Sequence, residues 1–401
     1  MQDVDLGQLS LAQQVMERQE GHAEAIGKHL EEYARLSAGD LGLILQLVKP
    51  ITDSFVDVGT DIARASASVS RVGASKMGST ITTYQEAERE VVERMTTVAQ
   101  QIGGAMPPPY SPADAPTLGA PVDQAPQLYG YTSNDLFGDA FKDGYSIAEW
   151  VDQTSDQLGD RFSQFLSTSP HVDESVDVRS YLPYPQGDNP EIESVRWKAG
   201  AIFGGVDWMW EQVFGYSLLE EITKPFVGDW ERITQAAVAW THAGDASKAI
   251  GDNYRGMLPA VGGSWVGDGS EQFLVAAAVV ADGHGLMQSP AGALSLALKG
   301  LAAAVKWVVG KILGLLEKLS YTLLRMAAAA TVPVAGWVFG AIYGGLEIMD
   351  LVKDVRDAYK WINRIYTLVS SLAGGLGSMF DSFYRMADLT ETLVRAGAAR
   401  A

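Results

Sequence analysis

The sequence has no cysteine and only five histidines: His22, His29, His171, His242 and His284. Without thiols there is no disulfide framework, thiolate zinc site, iron–sulfur cluster or cysteine nucleophile. Five histidines leave little for a metal centre or for general-base chemistry. His22 and His29 can share a helix face but have no third ligand nearby, so both are expected to be solvated. Basic residues are scarce too, with 30 Lys plus Arg against 49 Asp plus Glu and a formal charge of −19. A chain this acidic is poorly suited to nucleic acid, whose phosphates must be neutralised. Strand-type alternation is missing. So are Gly-x-Ser-x-Gly, Gly-x-x-x-x-Gly-Lys-Ser/Thr, His-Glu-x-x-His and Gly-x-Gly-x-x-Gly. The chain is therefore expected to be all-α and not an enzyme, with no cofactor and no metal. Its opening MQDVDLGQLSLAQQ lacks a basic n-region and an apolar h-region, so a Sec-type signal peptide is not expected.

What the chain has is apolar residues at helical spacing. Residues 1–103 read as a helical hairpin. Leu9, Ala12, Met16, Gln19, Ala23, Ile26, Leu30 and Tyr33 form one seam, broken only by Gln19. Turn residues follow at Ser37–Asp40. After Pro50 a second seam runs through Ile51, Phe55, Val58, Ile62, Ala65, Val69 and Val72. It slips near Gly73–Gly78 and resumes through Met77, Ile81, Tyr84, Ala87 or Glu88, Val91, Met95, Val98 and Ile102. Two such seams suit an antiparallel, coiled-coil-like hairpin, which needs a partner surface to cover its stripe.

Residues 104–135 read as a Pro-rich linker, since seven of the 16 prolines fall between Pro107 and Pro126. Residues 136–200 read as an acidic, partly helical connector. Over 103–195 there are 15 acids against three bases, expected to be a solvated face. Residues 201–290 read as a second hairpin. Trp230, Ile233, Ala237, Trp240, Ala243 and Ile250 stripe its first helix, a loop MLPAVGGSWVGDGS follows, and its second helix starts near Glu271. Residues 291–401 are hydrophobic C-terminal helices.

The loop of the second hairpin holds Trp265-Val266-Gly267, with Phe273 on the following helix. A Trp-x-Gly between two amphipathic helices resembles the WXG100-like proteins exported by actinobacterial type VII (ESX) secretion systems. The first hairpin carries Tyr84-Gln85-Glu86-Ala87-Glu88 late in its second helix, which resembles the Tyr-x-x-x-Asp/Glu export signal of the same substrates. Residues i and i+4 share a helix face, so ring and carboxylate can meet one receptor. Tyr-x-x-x-acid occurs eight times in the chain, and position singles out Tyr84–Glu88, with Tyr384 and Asp388 as the alternative signal. Together the two hairpins resemble fused PE–PPE-type secretion-associated proteins over roughly 5–103 and 229–290. The resemblance implies that the two signals come together at one end of a helical bundle. It also implies a secreted or cell-envelope, non-enzymatic interaction or assembly protein, or an effector. A type VII secretion ATPase and a dedicated chaperone or WXG100-like partner are the expected partners, with self-association and a membrane as further options. A ring serving recognition is expected to be partly exposed, so Trp265 should show at the bundle tip.

From Leu294 to Met326 the sequence is apolar nearly all round, apart from a cationic stripe of Lys299, Lys306, Lys311, Lys318 and Arg325. The 21 residues Met326–Leu346, with Val338 among them, carry no charge. This length just reaches the ~20 residues that span a bilayer. Two functions therefore stand: a secreted type VII substrate, and a pore-forming or membrane-active protein that inserts a 294–353 hairpin.

Overall fold

The computed structural model describes residues 4–37, 43–123, 171–188, 207, 211, 215–217, 229–329, 353, 356–367 and 369–370. The fold is all-α, with five α-helices and no strand among the described residues. Helix α1 spans Leu6–His29 and continues through a π-helical turn at Leu30–Ala34. Asp5 caps it, its carboxylate accepting from the amides of Gly7 (2.9 Å) and Gln8 (3.2 Å). Helix α2 spans Leu43–Ile102, 60 residues and about 90 Å at 1.5 Å per residue. It begins before Pro50 and passes through it, because one missing amide costs less than uncovering Val48 and Phe55, which are buried.

Helix α3 spans Trp230–Ser264 and is capped by Asp229, which accepts from the Arg232 amide at 3.0 Å. It runs eight residues past Gly256, carrying Pro259 inside it, because Met257, Leu258, Ala260 and Val261 are all core. The expected 14-residue loop thus shrinks to Trp265, Val266 and Gly267. Helix α4 spans Asp268–Leu286, and after Met287 the chain continues as α5, Gln288–Ala329.

Contacts along the axes give the helix directions. Glu20 pairs with Arg71 and Arg35 with Asp57, so α1 and α2 run oppositely. Asn253 reaches Gln19, and the Asp5 amide donates to the Ser264 carbonyl at 2.9 Å, so α3 also opposes α1. Ser247 contacts His284 and Thr241 contacts Ser295, which sets α4 and α5 against α3. Near the C-terminal end of α1, Trp240 lies fully buried, edge-on to Phe55 of α2 with centroids 6.4 Å apart. A Cβ on Gly59 would come within 2.8 Å of that indole, so glycine lets α2 approach it. One core joins all five helices.

The α1 seam is buried as spaced, with Tyr33 half-buried at its end. Gln19 is fully buried rather than a gap. On α2 the seam shifts: Ala65, Val69 and Val72 are only half-buried, while Ser66, Ala67 and Ser70 face the core. Small side chains at those positions let three helices converge there.

The Pro-rich stretch is docked, at least through residue 123. Prolines at this density supply too few amide donors for a helix, which leaves backbone carbonyls without helical partners. Arg18 supplies donors to the carbonyls of Gly119 (2.7 Å) and Leu118 (2.9 Å), and Gln14 to that of Pro116 (2.8 Å). Residues 171–188 dock as well. Glu174, from the stretch expected to be solvated, is buried against α1 and accepts from Arg18 (2.7 Å), His22 (3.0 Å) and Gln19 (3.1 Å). Burial pushes its carboxyl pKa up, but these three donors outweigh burial and hold it below the ordinary value. His22 is therefore buried, not solvated. His29 is buried too, against Tyr33 and His242.

Candidate functional site

The sequence pointed to Tyr84, Glu88, Trp265 and Gly267, and all four lie where α2 passes the α3–α4 turn. Ser264 ends α3, and Trp265 leaves it in extended conformation. Gly267 then adopts φ 124° and ψ 175°, a region only glycine occupies without strain. The chain can then re-enter a helix at Asp268. The Ser270 hydroxyl closes the turn by donating to the Trp265 carbonyl at 2.6 Å. A Cβ on Gly269 would lie 3.0 Å from the indole, so the ring lies directly against that backbone. Phe273, one helical turn further on, brings its ring centroid to 6.2 Å from that of Trp265.

The indole N–H of Trp265 donates to the Tyr84 hydroxyl at 3.2 Å, across 181 residues of sequence. Tyr84 is half-buried. Trp265 is only 7% exposed, which corrects the expectation of a solvent-facing ring. Its one polar atom is satisfied internally and its faces are packed, so the indole sets the geometry of the turn. What this end offers to solvent is Val266, 60% exposed, and the exposed Glu88 one turn beyond Tyr84. Tyr110, from the docked Pro-rich segment, sits beside Glu88. Burial and then the Glu88 carboxylate raise its phenol pKa.

Structure also sorts the competing Tyr-x-x-x-acid matches. Tyr110 and Tyr184 lie in irregular segments, where i and i+4 do not share a helix face. Among the described residues only the Tyr84 match lies on a helix. Tyr384 and Asp388 lie outside the described residues, as does Val338.

Sequence reasoning missed a second polar centre. His284 on α4 bridges Ser66 on α2 (Nε2 to Oγ, 2.7 Å) and Ser247 on α3 (Nδ1 to Oγ, 3.0 Å), and its ring stacks on Tyr254. Tyr254 donates its hydroxyl to Ser70 at 2.8 Å. Burial first, then the Arg255 charge, lowers the His284 pKa to about 4. Ser66 and His284 have the spacing of a nucleophile and its base, but both are sealed from solvent. The arrangement ties three helices together. The sequence reading placed Ala65 and Val69 on the seam rather than Ser66 and Ser70, so it held no trace of this centre. His29 and His242 form a third cluster, centroids 5.5 Å apart. Burial, then His242, lowers the His29 pKa to about 4. No group of three or more metal-ligating side chains occurs among the described residues.

The fold is an all-α bundle in which Tyr84 of α2 meets Trp265 of the α3–α4 turn. The chain matches no protein-family model, no curated protein and no solved structure.

Proposed function

We propose that the protein is a secreted substrate of a type VII secretion system, a non-enzymatic interaction or assembly protein whose export is read at the Tyr84–Trp265 end of the bundle. One observation carries this reading: Trp265 and Tyr84 are hydrogen-bonded partners at one bundle end, though they belong to different hairpins. A signal split between two hairpins is legible only once both have folded together. On this reading Trp265 and Gly267 hold the turn, while Tyr84 and Glu88 present the export face to the secretion ATPase. Because α1 and α2 already cover α3, one chain supplies the pairing that a WXG100-like partner would otherwise bring. The destination is the cell envelope or the medium.

Insertion of a 294–353 hairpin has less support. Leu294, Leu298, Leu301, Val305 and Ile312 of α5 are buried in the bundle core, and 330–352 lie outside the described residues.

The test is export from the producing cell, with and without the secretion ATPase. Glu88→Gln removes an exposed charge at no cost to the fold, so the folded variant should stay inside the cell. Normal export of Glu88→Gln together with retention of Tyr384→Ala would overturn the assignment of the signal.

A further inference from the structure

Helix α5 has two unlike sides. One is core. The other keeps large apolar side chains in solvent: Leu296 is 72% exposed, Trp307 53% and Tyr321 63%. Four lysines share that side, Lys299, Lys306, Lys311 and Lys318, all exposed. Their placement is ordered. At about 100° per residue the exposed positions fall within an arc of roughly 140°. Leu296, Trp307 and Tyr321 run along its middle. Lys299 and Lys306 edge it on one side, with the exposed Glu317 in line with Lys299, and Lys311 and Lys318 edge it on the other. The cationic stripe of the sequence is thus two rails bordering an apolar strip. Lys311 leans over the Trp307 ring, its Nζ 5.7 Å from the centroid. At Gly300, Gly310 and Gly314 an added Cβ would meet nothing within 4 Å, so the strip is open and smooth. From Leu296 to Tyr321 it is about 38 Å long.

Chemistry selects the occupant. In a chain of charge −19, four lysines against the single Glu317 on one face are still a local reversal of sign that complements an anionic surface. An apolar strip with lysine rails is the pattern of a helix lying in a membrane interface. Its aromatic and aliphatic side chains dip below the headgroups, while the lysine stems snorkel up to the phosphates. A straight, smooth strip of this length suits a planar fluid better than a folded protein surface. The opposite side of α5 is held in the bundle core, so the helix can lie on a bilayer but not cross it while the fold is intact. We propose that α5 docks the folded protein onto anionic phospholipid membranes through this face. The proposal does not depend on how the protein is exported.

Flotation of the full chain with phosphatidylcholine vesicles, with and without phosphatidylglycerol, tests it. Binding is expected only when phosphatidylglycerol is present, weakening as salt is raised, and without release of entrapped dye. Each rail lysine contributes about five-fold to binding, so Lys306→Gln with Lys311→Gln should weaken it about thirty-fold. Trp307→Ala should weaken it at every salt concentration. These side chains are exposed, so the thermal midpoint should hold. If that double variant misfolds, Lys299→Gln with Lys318→Gln tests the other edge of each rail. An intact chain that ignores phosphatidylglycerol vesicles at low salt would overturn the proposal, leaving an acidic protein segment as the occupant. Undiminished binding by a folded double variant would overturn it as well. Equal binding to both vesicle types with dye release would overturn it in favour of insertion.

Discussion

Helix α2 carries one apolar rhythm along two stretches that end up in opposite environments. Before Tyr84, Phe55 is fully buried and Met77 is 2% exposed. After it, Val91, Met95, Val98 and Ile102 are all at least half exposed, Ile102 reaching 76%. The spacing does not change at Tyr84; the neighbours do. α1 begins at Leu6 and α3 ends at Ser264, both at the level of Tyr84, so the last turns of α2 stand clear of the bundle. Helical periodicity says which face of a helix is apolar. Whether anything covers that face depends on where other helices stop.

Substitutions along α2 and against it can break that comparison. The largest effect is expected at Phe55→Ala, where a fully buried ring against Trp240 is deleted. Denaturant unfolding should show a loss of about 3–5 kcal/mol, and a loss below about 1 kcal/mol would mean that the inner stretch is not closed.

Next comes acid, acting through His284 where it meets α2 at Ser66. Its pKa is about 4 when folded, against 6.5 for the free side chain. Between those values the unfolded chain binds a proton that the folded chain refuses. The contribution of neutral His284 is therefore complete above pH 6.5, falls as pH drops through 6.5 towards 4, and levels off below. The total is on the order of 3 kcal/mol. Urea midpoints across that window should drop for the native chain and drop less steeply for His284→Gln, in which buried His29 still titrates over the same range; parallel curves would remove His284 as a cause.

A smaller effect is expected at the boundary itself. Tyr84→Phe leaves the buried indole N–H of Trp265 without its acceptor, a loss of about 1–2 kcal/mol by the same measurement. An unchanged midpoint would mean that the two side chains do not need each other. Least of all is expected beyond it. Val98→Ser should shift stability by no more than about 0.5 kcal/mol, and a cost several times larger would reveal a surface that covers the free end of α2 in solution.

Particular residues show how much of this was legible. The α1 seam could be read position by position, even to the anomaly at Gln19. The sequence marked that side chain as a break, and the structure places it at the meeting of Glu174 and Asn253. His22 and His29 were misjudged because their partners come from far along the chain: Glu174 for one, His242 for the other. α3 outran its expected end because Pro259 and nearby glycines mark a turn locally, while core packing holds the helix to Ser264. At the candidate site the motifs singled out Tyr84 and Trp265 separately, but neither their contact nor the burial of the indole could be read from them. A tryptophan in a turn reads as a displayed ring, and its burial depended on Tyr84 and Gly269.

Sequence alone determined what local physics controls. It set the helical class through period-3.6 seams, the helix starts through Asp5 and Asp229, and the demand for glycine at 267. Each of these depends on neighbours within about one helical turn. Tertiary structure decided the rest: which stretch of each seam is covered, which histidines lose their water, and that Tyr84 and Trp265 share a hydrogen bond. Such contacts join residues far apart in the chain, and no periodicity encodes them. They follow from helix lengths, from the close approach allowed at Gly59, and from one core to which all five helices contribute.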